Sequence, residues 1–216
     1  MEEKINFESG GLTLEGCLTI IDSSRAAIIT HPHTLYGGEM ANPVVAAIAE
    51  AYQKNGWSTL RFNFRGAGGS EGCFDNGPGE QNDVDAAIAW MEAKGFRRME
   101  LAGYSFGAWV LAGWSQTRSS RGYTLRFVAP PTPFMDFSGI GAIPDLKQVI
   151  AGSRDEIASP DSIESALQTW RPQVEIDIVP QADHFFGGHL SDLQKMLGRR
   201  IGESARAPAS ESSENR

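Results

Sequence analysis

The segment from Arg98 to Trp114 constrains the fold more than any other part of this chain. It reads as a strand-like run, Arg98-Met-Glu-Leu-Ala102, then Gly103-Tyr104-Ser105-Phe106-Gly107, then an apolar helical run, Ala108-Trp-Val-Leu-Ala-Gly-Trp114. A strand that turns into a helix this tightly crowds the positions two before and two after its apex. Both must be small, and Gly103 and Gly107 meet that demand because they lack a Cβ. The apex residue, Ser105, then holds its hydroxyl clear of the backbone at the positive end of a helix. A serine presented in this way points to a nucleophile.

The pentapeptide is short, and a second copy exists at Gly68-Gly69-Ser70-Glu71-Gly72. That copy follows Arg65-Gly66-Ala67 and precedes Cys73-Phe74-Asp75-Asn76-Gly77, so it has no strand immediately before it and no helix after it. Context decides between matches. Ser70 reads as part of a structural turn and Ser105 as the nucleophile. The same glycine-rich stretch is not a phosphate cradle. Glu71 takes the place of the third glycine of a dinucleotide fingerprint, and the Gly-Lys-Ser/Thr of a P-loop is missing.

Periodicity organises the remainder. Residues 4–9 and 12–20 predict a hairpin turned at Gly10-Gly11. Strands are expected at 26–30, 58–64, 98–103, 124–129, 146–151 and 174–179. Helices are expected at 43–53, 80–93, after Ser105, at 160–169 with Ser159 as a cap, and at 189–201. This alternation implies an α/β fold: a mostly parallel central sheet with helices on both faces, preceded by an antiparallel hairpin. In such sheets ligands sit beyond the carboxyl ends of the strands. Residues 1–201 are expected to form one domain. The Ser-, Ala- and Glu-rich stretch 202–216 lacks apolar periodicity and is expected to be a disordered tail.

A serine hydroxyl needs a base to take its proton and an acid to orient that base. Downstream of Ser105, Asp155 falls just past one strand and His184 just past another, in the chain order Ser, Asp, His. His184 is therefore assigned as general base and Asp155 as its orienting carboxylate. Glu156, adjacent to Asp155, and Asp136, after the preceding strand, are alternative acids; Asp183 sits beside His184 and could reach it only awkwardly. The oxyanion requires donors. The backbone N–H of Phe106 supplies one, and the loop His31-Pro-His-Thr-Leu-Tyr-Gly-Gly38 supplies the other, from His33 or Thr34. Leu35, Tyr36, Phe134 and Phe185 border these loops and are candidates to line a substrate pocket. His31 reads as a structural residue that ties loops together. A rival reading makes His31, His33, His184 and His189 metal ligands, but the last two lack ligand-like helical spacing, and no metal is assigned.

Composition narrows the classes further. The chain has 216 residues, a net charge of −8 and no basic patch, which excludes nucleic acid as a partner. Two cysteines, Cys17 and Cys73, make a disulfide framework unexpected. The charged N-terminus has no apolar run behind it and no stretch is long enough to span a bilayer, so a cytoplasmic protein without membrane partners is expected.

Several segments together resemble a known group: residues 31–38, Leu60-Arg-Phe-Asn-Phe-Arg-Gly66, Gly69-Ser-Glu-Gly72, the turn at 103–107, and Ala182-Asp-His-Phe-Phe186. They are similar to the small, capless α/β-hydrolases related to dienelactone hydrolases and the serine aminopeptidase-like hydrolases, over roughly residues 4 to 200. The resemblance implies an α/β-hydrolase fold and a cofactor-free serine hydrolase acting on a small-molecule acyl substrate. Dienelactone hydrolases proper use a cysteine where this chain has Ser105, so their reaction is not carried over. Only about sixteen residues, Pro130 to Asp145, separate the strands between which many relatives insert a lid, too few for a folded cap. An open site for small or exposed acyl groups is the expectation. Peptidase, acyltransferase and non-catalytic binding protein are the alternatives.

Overall fold

A computed structural model describes residues 2–118 and 122–206. Eight strands form one sheet: β1 (Glu2–Ser9), β2 (Leu12–Thr19), β3 (Arg25–Thr30), β4 (Ser58–Phe62), β5 (Arg98–Tyr104), β6 (Thr124–Val128), β7 (Leu146–Gly152) and β8 (Ile176–Val179). Their spatial order is β1-β2-β4-β3-β5-β6-β7-β8. The β1–β2 and β2–β4 pairs are antiparallel and every other pair is parallel. Among the described residues, five α-helices accompany them: α1 (Pro43–Lys54), α2 (Pro78–Ala93), α3 (Phe106–Arg118), α4 (Pro160–Trp170) and α5 (Leu190–Arg206).

Burial follows from position in the sheet. In β2 alternate residues point inward, Leu14, Gly16 and Leu18 among them, because the hairpin is covered on one face. In β3 every residue from Ala26 to Thr30 is buried, as expected of a central parallel strand covered on both faces. Helices α1 and α5 pack on each other across one face, and α2 and α3 pack together on the other.

The face under α1 and α5 holds a polar chain that hydrophobic patterning does not reveal. Tyr52 of α1 donates to Glu100 Oε2 of β5 at 2.9 Å, and Arg126 Nε of β6 donates to the same oxygen at 2.9 Å. Arg126 Nη1 donates to Gln148 of β7 at 3.0 Å, and Gln148 donates to Asp177 of β8 at 2.8 Å. Glu100, Arg126 and Gln148 are fully enclosed. Burial, and then the Glu100 charge, hold the Tyr52 hydroxyl well above the usual phenol range.

Several element ends differ from the sequence expectation, β4 closing at Phe62 and α2 opening at Pro78 among them. The stretch expected to be a tail from Gly202 is helical as far as Arg206, where α5 ends; residues 207–216 lie outside the described residues. The final strand starts at Ile176 rather than at residue 174. Ser159 occupies the N-cap of α4, but its hydroxyl donates to Ser162 Oγ at 3.0 Å instead of capping a backbone N–H. Between β6 and β7 no helix or strand intervenes.

Candidate active site

Ser105 ends β5 and opens α3. Its φ of +53° is the left-handed conformation that a reversal this tight requires of its apex. Its N–H donates to Val128 O at 2.9 Å, tying the turn to the end of β6. The flanking glycines are sterically obligatory. A Cβ on Gly103 would lie 2.6 Å from Ala108 N, and one on Gly107 would lie 2.5 Å from Thr30 Oγ1. The turn can therefore close against both its own helix and β3 only without side chains at these positions.

Asp155 follows β7 and His184 follows β8. These two turns interlock: Arg154 N–H donates to Ala182 O at 2.9 Å, Ser153 N–H donates to Val179 O at 3.0 Å, and Gln181 N–H donates to Ser153 Oγ at 2.8 Å. Gly152 permits the approach, since a Cβ there would collide with the Ala182 carbonyl. His184 Nε2 lies 2.9 Å from Ser105 Oγ, and His184 Nδ1 lies 2.9 and 3.1 Å from the two Asp155 oxygens. Because a carboxylate accepts, Nδ1 carries the ring proton and Nε2 is free to accept from the serine hydroxyl. Asp155 Oδ1 also accepts from the N–H groups of Ile157 and Ala158 at 2.9 and 2.7 Å, which fixes the carboxylate's orientation. All three residues are buried, with Ser105 8% and His184 6% exposed.

Of the alternative acids, Glu156 is exposed, and Asp136 and Asp183 are engaged elsewhere. Asp136 accepts from Ser138 N–H at 2.8 Å, and Asp183 caps its own turn by accepting from the N–H groups of Phe185 and Gly187. Tyr104, within the pentapeptide, is a supporting residue that sequence reasoning missed. Its hydroxyl donates to the His184 carbonyl at 3.0 Å and its ring lies 5.5 Å from the imidazole. Burial, and then the charges of Asp155 and Asp183, raise its phenol above the usual range, so it stays a hydrogen-bond donor. Its position next to the apex serine was the available signal.

Phe106 N–H stands at the first position of α3, where a helix offers no intrahelical acceptor. Across from it, Thr34–Tyr36 form one 3₁₀ turn. His33 is that turn's N-cap; its Nδ1 accepts from Leu35 N–H at 3.3 Å and its ring packs 4.7 Å from that of Phe106. Burial lowers the pKa of this imidazole. The backbone of 33–34 is thus held against the residue that follows Ser105. Leu35, Tyr36, Phe134 and Phe185 are all largely exposed, at 67, 87, 68 and 64%, so they stand at the surface and do not wall an enclosed cavity. Phe185 lies edge-on to His184 at 5.5 Å.

The remaining histidines each have local partners. His31 is fully buried; its Nδ1–H donates to Pro32 O at 2.6 Å and its Nε2 accepts from Phe64 N–H at 3.0 Å, tying the ends of β3 and β4 together. His189 pairs with Asp192 at 3.6 Å. Burial pushes His31 down to about 4. The unfolded chain therefore takes up a proton near pH 6.5 while the folded chain does not, and stability falls as pH drops from about 6.5 to about 4. His31 alone is expected to remove about 3 kcal/mol across that window. Urea unfolding of wild type and His31→Gln at pH 7 and pH 4 checks this. The variant should show the smaller loss, and equal losses would contradict the account.

Ser70, apex of the second pentapeptide, has a different task. Its hydroxyl donates to Asn63 O at 2.7 Å and accepts from Glu15 N–H at 3.1 Å, clamping the exit of β4 to β2. Ser70→Ala is expected to lower stability by about 1–3 kcal/mol in urea unfolding and to leave activity intact. A folded Ser70→Ala protein lacking activity would contradict this.

An eight-stranded, mostly parallel sheet with a serine on a strand–helix elbow defines the α/β-hydrolase class. Residues 25–129 match the X-Pro dipeptidyl-peptidase (S15) family. An uncharacterized protein of Rickettsia prowazekii is 34% identical over 181 residues, covering 79% of this chain and 76% of its own length. An alpha-beta serine hydrolase homologue from Coxiella burnetii is similar in structure, with a TM-score of 0.83, 34% identity, and 91% of this chain and 96% of its own covered. A lidless α/β serine hydrolase from Xanthomonas campestris gives a TM-score of 0.86 and 32% identity, with 97% and 96% covered. The chain belongs to this family of lidless α/β serine hydrolases. Among the described residues, no helix is long and apolar enough to cross a membrane.

Proposed function

We propose that this protein hydrolyses a carboxylic ester or related acyl bond of a small substrate through an acyl-enzyme. The observation that carries the proposal is the continuous hydrogen-bonded line from Ser105 Oγ through His184 to Asp155. Ser105 Oγ attacks the carbonyl carbon while its proton passes to His184 Nε2. The carbonyl oxygen becomes an oxyanion, received by Phe106 N–H and an N–H of His33 or Thr34. As the tetrahedral species collapses, the bond to the leaving oxygen breaks and that oxygen takes the proton from Nε2. Water then repeats the sequence on the acyl-serine, releasing a carboxylic acid and free enzyme. Asp155 orients the imidazole throughout. No cofactor enters any step.

A second reading is peptidase action, favoured by the S15 match over 25–129, a span that contains the elbow and the 31–38 loop but ends before Asp155 and His184. The two readings share the nucleophile and differ in the leaving group. Parallel assays with short p-nitrophenyl esters and Xaa-Pro p-nitroanilides separate them. Ester hydrolysis with little anilide cleavage is expected, and the reverse preference would overturn the ester reading in favour of the peptidase.

A further inference from the structure

Trp109 is where the start of α3, the loop before α2 and the segment between β6 and β7 converge. It lies one helical turn after Ser105 on α3, and helical side chains lean toward the N-terminus, so its ring covers the surface next to Ser105 and Phe106. Its contacts fit that placement. The indole lies 5.5 Å from the Phe106 ring, and its N–H donates to Asp136 O at 2.7 Å in the segment between β6 and β7. Its far edge presses on the loop before α2, where a Cβ on Gly77 would fall 2.7 Å from Cη2. Gly77 also has a φ of +110°, so no larger residue readily takes that position and the indole keeps its place. The ring is half-buried and therefore still presents surface.

Rings around the site fall into two groups. Phe185 stands against His184, whereas Phe74 and Trp109 stand against Phe106, at 5.6 and 5.5 Å. In the acyl transfer derived above, the leaving oxygen must lie against His184 Nε2 and the carbonyl oxygen against Phe106 N–H. The leaving group then lies on the Phe185 side, which leaves the acyl substituent the side away from His184, toward Phe74 and Trp109.

We propose that Trp109 closes the acyl side of the site and sets the acyl length accepted. Acyl groups of a few carbons fit, and longer chains meet a rigid indole held at three points. The inference rests on the acyl-hydrolase reading. Its test compares kcat/KM for p-nitrophenyl esters from acetate to decanoate in wild type, Trp109→Ala and Trp109→Leu. A second series of acetate esters, with lengthening alcohols, is run beside it. The octanoate-to-acetate ratio is expected to rise about tenfold or more in both variants, with the alcohol series unchanged. Leucine keeps an apolar filler against Gly77, so Trp109→Leu decides the matter if the alanine variant does not fold. An unchanged acyl ratio, or a shift in the alcohol series instead, overturns the proposal while leaving the hydrolase reading intact. Wild-type protein that cleaves neither series removes both.

Discussion

Ser105→Ala is expected to lower kcat for a short-chain ester by about 10⁴–10⁶ while leaving the fold unchanged, the loss seen when a triad nucleophile is deleted. The size follows from what remains. Without Oγ there is no covalent intermediate, and only the Phe106 N–H and substrate positioning still act. His184→Ala should lose nearly as much, because the three groups act as one unit and their effects do not add. Alanine at 105 removes one hydroxyl and keeps a Cβ, so the elbow suffers little; thermal unfolding should confirm an intact protein. A rate within a few-fold of wild type in folded Ser105→Ala would refute the assignment of the nucleophile.

Glu100→Ala is expected to give the largest loss of stability. Arg126 is 1% exposed and its Nε is 2.9 Å from Glu100, so removing the carboxylate takes an anionic partner from a guanidinium in the core and deprives the Tyr52 hydroxyl of its acceptor. Breaking a buried pair from one side costs about 3–5 kcal/mol, a large share of the roughly 5–15 kcal/mol that holds a typical domain folded. Glu100→Gln retains an acceptor and should lose less. Urea unfolding at pH 7 measures both, and a loss below about 1 kcal/mol for the alanine variant would show that the pair behaves like an exposed one.

The contrast between these two sites explains which features are legible in the sequence. The elbow is a local device: glycines two before and two after one serine, with a strand and a helix on either side, are visible in seventeen consecutive residues. Asp155 and His184 stand out because each lies in the short turn after a strand, and the alternation of strands and helices sends all such turns to one edge of the sheet. The Glu100–Arg126 pair has no such signature. Its members are 26 residues apart on neighbouring strands and meet only through the parallel register of β5 and β6. Tyr104 and Gly152 likewise owe their tasks to the close passage of the His184 turn, a tertiary event. The 3₁₀ turn at Thr34–Tyr36 was hidden because its N-cap is a histidine, an unusual capping residue. The exposure of Leu35, Tyr36, Phe134 and Phe185 was equally hidden, since apolar composition cannot tell a wall from a rim.

The central claim is that Ser105 is activated by its neighbours. Intact-mass measurement after treatment with a fluorophosphonate, wild type beside Ser105→Ala, tests it most directly. A serine that His184 can deprotonate attacks phosphorus and expels fluoride, leaving one stable phosphonyl adduct. A single adduct on wild type and none on Ser105→Ala is the predicted result. Properly folded wild-type protein that stays unlabelled, or a variant labelled as readily as wild type, would contradict it.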